Sequence, residues 1–253
     1  MLKRFILICL FSTPAFGQSS EVLVPLTGHG LGFETTFTVV NISATTTRVE
    51  IEAFSDVGAP LSVLEKPASP FEPASATDRL GLELAGLGNG EAASLGANPE
   101  SLQVGWARVT SDGPIGVEVV FRRRDAEGRL LTSASVLPQP SSSELSLIAF
   151  ANPFARTGLA LLNGGNQAAS VEAFLFNRFG ELLGVRELVI GPQSRIQQFV
   201  DEDSFFPELF GRDFTGSIEI RSSSPLAVTV IKLEGGAQAF FTTQTVQPAR
   251  PLN

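Results

Sequence analysis

The chain has 253 residues, a formal net charge of −8, 43% hydrophobic and 17% charged residues, and 24 Gly and 16 Pro spread along its length. One His, one Cys, one Met and no Tyr exclude a His/Cys metal cluster, a disulfide and a thiol–imidazole pair. The acidic balance argues against nucleic acid and anionic membrane surfaces as partners, and the density of breakers favours short strands over long helices.

Residues 1–17 read as a secretory signal peptide. Lys3 and Arg4 form a positive start, Phe5 to Phe11 an apolar run, and Ala15-Phe16-Gly17 a small-x-small cleavage site. Cys9 lies mid-run behind Ile8, which argues against lipidation there. Cleavage removes Met1, Lys3, Arg4 and Cys9. What remains has nothing easily oxidised, as suits the periplasm or the medium. No later apolar segment approaches the roughly 20 residues a helix needs to cross a bilayer, so no stable membrane insertion is expected. Next come Gly28-His29-Gly-Leu-Gly32 and, further on, Gly86-Leu-Gly-Asn-Gly90. Neither has the spacing of a phosphate-binding loop, and no cofactor is expected. His29, flanked by glycines, reads as a flexible loop residue without the nucleophile or orienting acid a catalytic base needs.

The middle of the chain shows an internal repeat. Phe37-Thr-Val-Val-Asn41, Val49 to Phe54 and Gly58 recur 122 residues later as Leu159-Ala-Leu-Leu-Asn163, Val171 to Phe176 and Gly180. Gly105 to Val109, Ser111, Pro114-Ile115 and Val117 to Val119 recur 111 residues later, from Gly216 to Val230. The change of offset places about eleven extra residues in the first copy, between Gly58 and Gly105, where Ala, Gly, Pro and Ser dominate. Pro138 to Glu144 reads as the linker, which sets the first module at 18–140 and the second at 141–253. Strands are expected where apolar and polar residues alternate, as at Val49, Ile51 and Ala53 or Ile115, Val117, Val119 and Phe121. Turns are expected at 55–58, 111–114, 177–180, 222–225 and 235–236. Ser204 to Phe210 reads as a short helix capped by Ser204 and ended by Gly211, with Phe205, Phe206, Phe210 and Phe214 plugging the second module.

The pattern resembles immunoglobulin-like β-sandwich modules of secreted bacterial proteins. Three features carry the resemblance: Asn41 or Asn163 closing a strand, a Val-Glu strand ending in an aromatic and a Gly turn, and the Gly-x-x-x-(Val/Ile)-x-Ser-x-x-Pro-(Ile/Leu)-x-Val-x-Val block. It implies an all-β chain of two tandem antiparallel sandwiches acting as an extracellular interaction or spacer module. It carries over no catalytic residue.

Among candidate site residues, Trp106 and Arg108 stand first. In the repeat they align with Ser217 and Glu219, while Ala107 and Val109 align with Ile218 and Ile220. Alternation therefore puts Trp106 and Arg108 on the face away from the sandwich core. An outward Trp packs on the other module, covers a local patch, or stacks a sugar ring. Asp201-Glu-Asp203 could supply oxygens to a hard cation, but it lacks a calcium-loop pattern and reads as the acidic start of the short helix, so no metal is expected. Arg122-Arg-Arg124 reads as a strand-edge charge block against edge pairing. The leading expectation is an exported, non-enzymatic structural or adhesion-type protein meeting an extracellular or periplasmic protein or polysaccharide. The alternative is a carbohydrate-binding module using Trp106, which the inventory of 20 Phe, one Trp and no Tyr disfavours. A hydrolase with paired carboxylates comes third.

Overall fold

A computed structural model describes residues 19–65, 74–96, 100–235, 240–244 and 246–248. The leader segment 1–17, with Cys9, lies outside them, as does Gly236 of the expected turn at 235–236. Among the described residues the chain is all-β apart from a single 3-10 turn at Pro207–Leu209. The first half contains β1 (Ser20–His29), β2 (Phe33–Asn41), β3 (Thr47–Phe54), β4 (Val63–Glu65), β5 (Ser75–Thr77), β6 (Arg79–Leu84), β7 (Asn89–Gly96), β8 (Gln103–Ser111), β9 (Ile115–Arg124) and β10 (Leu130–Val136). The second contains β11 (Ser142–Asn152), β12 (Ala155–Asn163), β13 (Ala169–Asn177), β14 (Leu182–Ile190), β15 (Ser194–Phe199), β16 (Phe214–Glu234), β17 (Phe240–Gln244) and β18 (Gln247–Pro248).

All strand pairs are antiparallel. The first half forms one sheet in the order β1-β8-β3-β6 and another in the order β10-β9-β2-β7-β4-β5. In the second half β16 pairs through residues 214–222 with β11 and β13, and through 227–234 with β12 and β17. β14 flanks β13 and β15 flanks β12. The order β11-β16-β13-β14 thus parallels β1-β8-β3-β6, and β17-β16-β12-β15 parallels β10-β9-β2-β7. The long β16 does the work of both β8 and β9. The turn expected at Ser222–Pro225 is instead continuous strand. Pro225 has no N–H to give a ladder, and here β16 passes from one set of partners to the other.

Alternation decides what each strand buries. Val49, Ile51 and Ala53 point inward, and with Phe37, Val39, Leu80, Val109 and Val119 they make the first core. Leu161, Val171, Ala173, Leu175, Ile218, Ile220 and Val230 make the second, joined by Phe205 and Phe206. Each large side chain removed from water there contributes about 1.5–3 kcal/mol. The same buried carboxamide closes both halves. Asn41 Nδ2 donates to the carbonyls of Thr45, Leu84 and Ala85, and Asn163 Nδ2 to those of Gln167, Ile190 and Gly191. Their Oδ1 atoms accept from the backbone N–H of Ser43 and Gly165.

The extra length of the first half is the net of two differences. Residues 55–78, with β4 and β5, separate β3 from β6, whereas only 178–181 separate β13 from β14. Conversely, 200–213 join β15 to β16 where 97–102 join β7 to β8. The segment 200–213 carries the 3-10 turn, and it is shorter than the helix expected there. Phe206 precedes Pro207, which disfavours helical backbone at Phe206, and Phe206 sits at φ −125°, ψ 86°. Ser204 does not cap: its hydroxyl accepts from Gln198 Nε2 and its carbonyl from Arg186. Phe205, Phe206 and Phe214 are buried as expected, but Phe210 is exposed.

Candidate functional site

On β8, Ala107 and Val109 face the first core while Trp106 and Arg108 face away from it, as alternation requires. Trp106 is nevertheless 0% exposed, because the second half covers it with Leu162 and Ala227. Phe54 stacks on it at 4.2 Å between ring centroids and 19° between planes. Arg108 lies 5.5 Å from the centroids of both rings, pairs with Glu21 Oε2 at 3.3 Å and donates to Gln193 Oε1. Of the places weighed for Trp106, the structure has it packed on the other half, and an indole with no exposed surface offers no face to a sugar ring.

Beside this cluster is a residue that sequence reasoning missed. The side chain of Arg195, from β15, is wholly buried between the halves. Its Nη1 donates to the carbonyls of Pro25 and Gly105, its Nε and Nη2 to Asp56 Oδ1 at 2.8 and 2.7 Å, and its backbone N–H to the Asp56 carbonyl. Burial pulls its pKa below the ordinary value, and Asp56 opposes that pull. Nothing in Ser194-Arg195-Ile196 signals this, because the acceptors come from the other half. Gly58 belongs to the same contact. It sits at φ +78°, and a β-carbon there would overlap the Gln193 carbonyl oxygen.

The remaining candidates are structural. His29 is not a flexible loop residue: it ends β1, is buried, and its Nδ1 lies 3.0 Å from Ser94 Oγ. Burial lowers its pKa to about 4, so it is neutral at pH 7. Arg122 to Arg124 are not an edge block, because β9 is paired on both sides. Arg122 Nη1 instead reaches the buried carboxylate of Glu34 at 3.3 Å and Thr36 Oγ1 at 2.7 Å, Arg124 Nε lies 3.8 Å from Glu34, and Arg123 stacks over Phe33. The Asp201 carboxylate accepts Nε and Nη2 of Arg156 at 2.9–3.1 Å. Among the described residues no group of three or more His, Cys, Asp or Glu is placed to hold a metal.

A cleft of about 700 Å³ opens at the outer end of the second half, between Asn152 to Phe154, Asn177 to Phe179 and Glu208 to Thr215. Two hairpin tips form its rim. Asn152 Oδ1 accepts from the N–H of Phe154 and Ala155, and Asn177 Oδ1 from those of Phe179 and Glu181. These local bonds fix the turns and hold Phe154 and Phe179 outward, 79% and 73% exposed. Arg178 stacks over Phe179 at 4.7 Å. Arg212 and Asp213 add one charge of each sign to the lining. Two fixed aromatic rims around a mixed polar floor suit a protein or polymer surface better than a small buried substrate. Sequence reasoning found the turn at 177–180 but not the rim, because Phe reads by composition as a core residue.

No protein-family model matches the sequence, and no curated protein matches it. Among solved structures, the crystal structure of Thermotoga maritima 1070 is 14% identical, covers 43% of this chain and 96% of its own, and has a TM-score of 0.36.

Proposed function

We propose that the chain is an exported, non-enzymatic structural or adhesion-type protein of two tandem immunoglobulin-like modules, residues 18–140 and 141–253, acting through surface interactions in the periplasm or outside the cell. The charged, apolar and small-x-small order of residues 1–17 supports export. The recurring strand order and the matched Asn41 and Asn163 bonds support two copies of one module. The observation that carries the interaction reading is the cleft rim, where Phe154 and Phe179 are held out in water on hydrogen-bonded turns. Exposed aromatics on fixed backbone lose little entropy on binding and make effective anchors.

The test is co-sedimentation of residues 18–253 with the envelopes and extracellular material of the producing cells. The Phe154→Ser/Phe179→Ser double variant is expected to reduce the retained fraction about tenfold or more. Undiminished retention of the double variant would refute the rim as the binding surface. Turnover of a substrate that disappears on replacing Glu208 or Asp213 would refute the non-enzymatic reading.

A further inference from the structure

The contact between the halves has two sides, and each has an uncovered counterpart elsewhere in the chain. The covered side is the outer face of the first half at Leu23, Phe54 and Trp106. The covering side is the end of the second half at Leu162, Gly164, Gln193 and Ala227. Strand pairing maps the first set onto Ser146, Phe176 and Ser217, and the second onto Val40, Ile42, Leu87 and Gly116. The backbone supports the mapping. A β-carbon on Gly105 would overlap the Phe54 carbonyl oxygen, and one on Gly216 the Phe176 carbonyl oxygen. Leu87 and Gln193 both have positive φ, 58° and 51°.

One counterpart is apolar and exposed, and the other sets two half-buried Phe rings among Ser146, Ser217 and Arg221, which lies over Phe174. Ile42 and Leu87 are 59% and 74% exposed, beside an exposed Val40. Phe174 and Phe176 are half-buried on the outer face of β13, next to exposed Val185 and Val189 on β14. Where Phe174 faces Val185, the first half has the ion pair of Glu52 with Arg79, while Glu50 keeps a charged equivalent in Glu172. Gly58 and Gly180 share a positive φ, yet Gly58 is pressed against Gln193 while Gly180 has open space beside it.

We propose that the chain assembles head to tail with copies of itself. The Val40–Ile42–Leu87 end of one copy seats on the Phe174–Phe176 face of the next, repeating between chains the contact that joins the two halves. This rests on the two-module reading above and names the partner. Bulk is exchanged between the two sides. Inside the chain Leu23 packs against Gly164. Between chains Ile42 stands in the place of Gly164 and Ser146 in that of Leu23, so the knob moves to the other partner. The polar pair changes in step: Arg195 with Asp56 becomes Asn89 with Arg178, whose guanidinium donates to the carboxamide. Ser217 in place of Trp106 makes the contact between chains weaker than the one within. The contact is heterologous, so it propagates into linear chains and does not close on itself.

Light scattering and sedimentation velocity over a concentration series test the proposal on residues 18–253. Mass is expected to grow stepwise with concentration. Ile42→Arg and Phe176→Arg should each stop growth at the monomer while leaving the melting temperature and circular dichroism unchanged. Each variant keeps one working side, so an equimolar mixture should give dimers and nothing larger. If either variant misfolds, Ile42→Cys/Ser146→Cys serves in its place. The rest of residues 18–253 contains no Cys, so oxidation should give a ladder of disulfide-linked chains. Monomers up to about 1 mM, a closed dimer, oligomers indifferent to both variants, or no disulfide ladder would overturn the proposal. Envelope retention by a chain that stays monomeric would sink self-assembly and leave the surface-interaction reading standing. Assembly without retention would do the reverse.

Discussion

At the scale of single residues, burial decides what the few unusual side chains do. His29 Nδ1 faces Ser94 Oγ, which also lies 3.3 Å from the Thr35 carbonyl as donor. Its Nε2 has no hydrogen-bond partner. Protonation would put a charge where nothing balances it. The folded pKa of about 4 lies below the ordinary 6.5, so the unfolded chain binds the extra proton first. Stability from this residue is full above pH 6.5 and is lost as pH falls from 6.5 to 4, about 3 kcal/mol in all. Urea titrations across that window should show a steeper loss for the wild type than for His29→Gln. Equal slopes would mean that His29 is protonated in the fold.

Among elements, the strands were largely legible and their surroundings were not. The alternation at Val49, Ile51 and Ala53 and at Ile115, Val117 and Val119 matches the observed inward faces, because a half-buried strand writes its environment into every second residue. The same rule gave the correct face for Trp106. It could not say what covers that face, because the cover comes from Leu162 and Ala227 on remote strands. Arg195 was invisible for the same reason. Pro207 was legible in principle, since a proline there limits the helix before it. Asn41 and Asn163 were noticed as strand ends, but of the three carbonyls each binds two lie far along the chain. Replacing either by Ala orphans buried carbonyls and should cost about 2–3 kcal/mol by chemical denaturation. A loss below about 0.5 kcal/mol would mean that water takes their place.

Considered whole, the halves meet at several places, among them β10 against β17 and β1 against β12 and β16, and at one of these an aromatic stack and a buried cation act together. Arg195→Met removes the donors to two buried carbonyls and leaves Asp56 facing an apolar chain. The expected loss is about 3 kcal/mol, with the two cores left intact. Trp106, with no Tyr to obscure it, should report this loss. Its emission should be blue-shifted and poorly quenched by acrylamide in the wild type, and should shift red in Arg195→Met before either half unfolds. Emission unchanged by the variant until global unfolding would show that the halves hold together without Arg195.

The two halves also differ in how they would bear tension. In the first, β8 and β9 are separate strands in separate sheets, joined by residues 112–114. In the second, β16 runs unbroken for 21 residues through both ladders. A load drawn along the chain can peel the first half one layer at a time. In the second, the same backbone is stitched into both layers, so neither slips until the other gives way. Pulled from its two ends, the chain is therefore expected to lose the first half at lower force than the second, and a single unfolding step for both in force spectroscopy would contradict this.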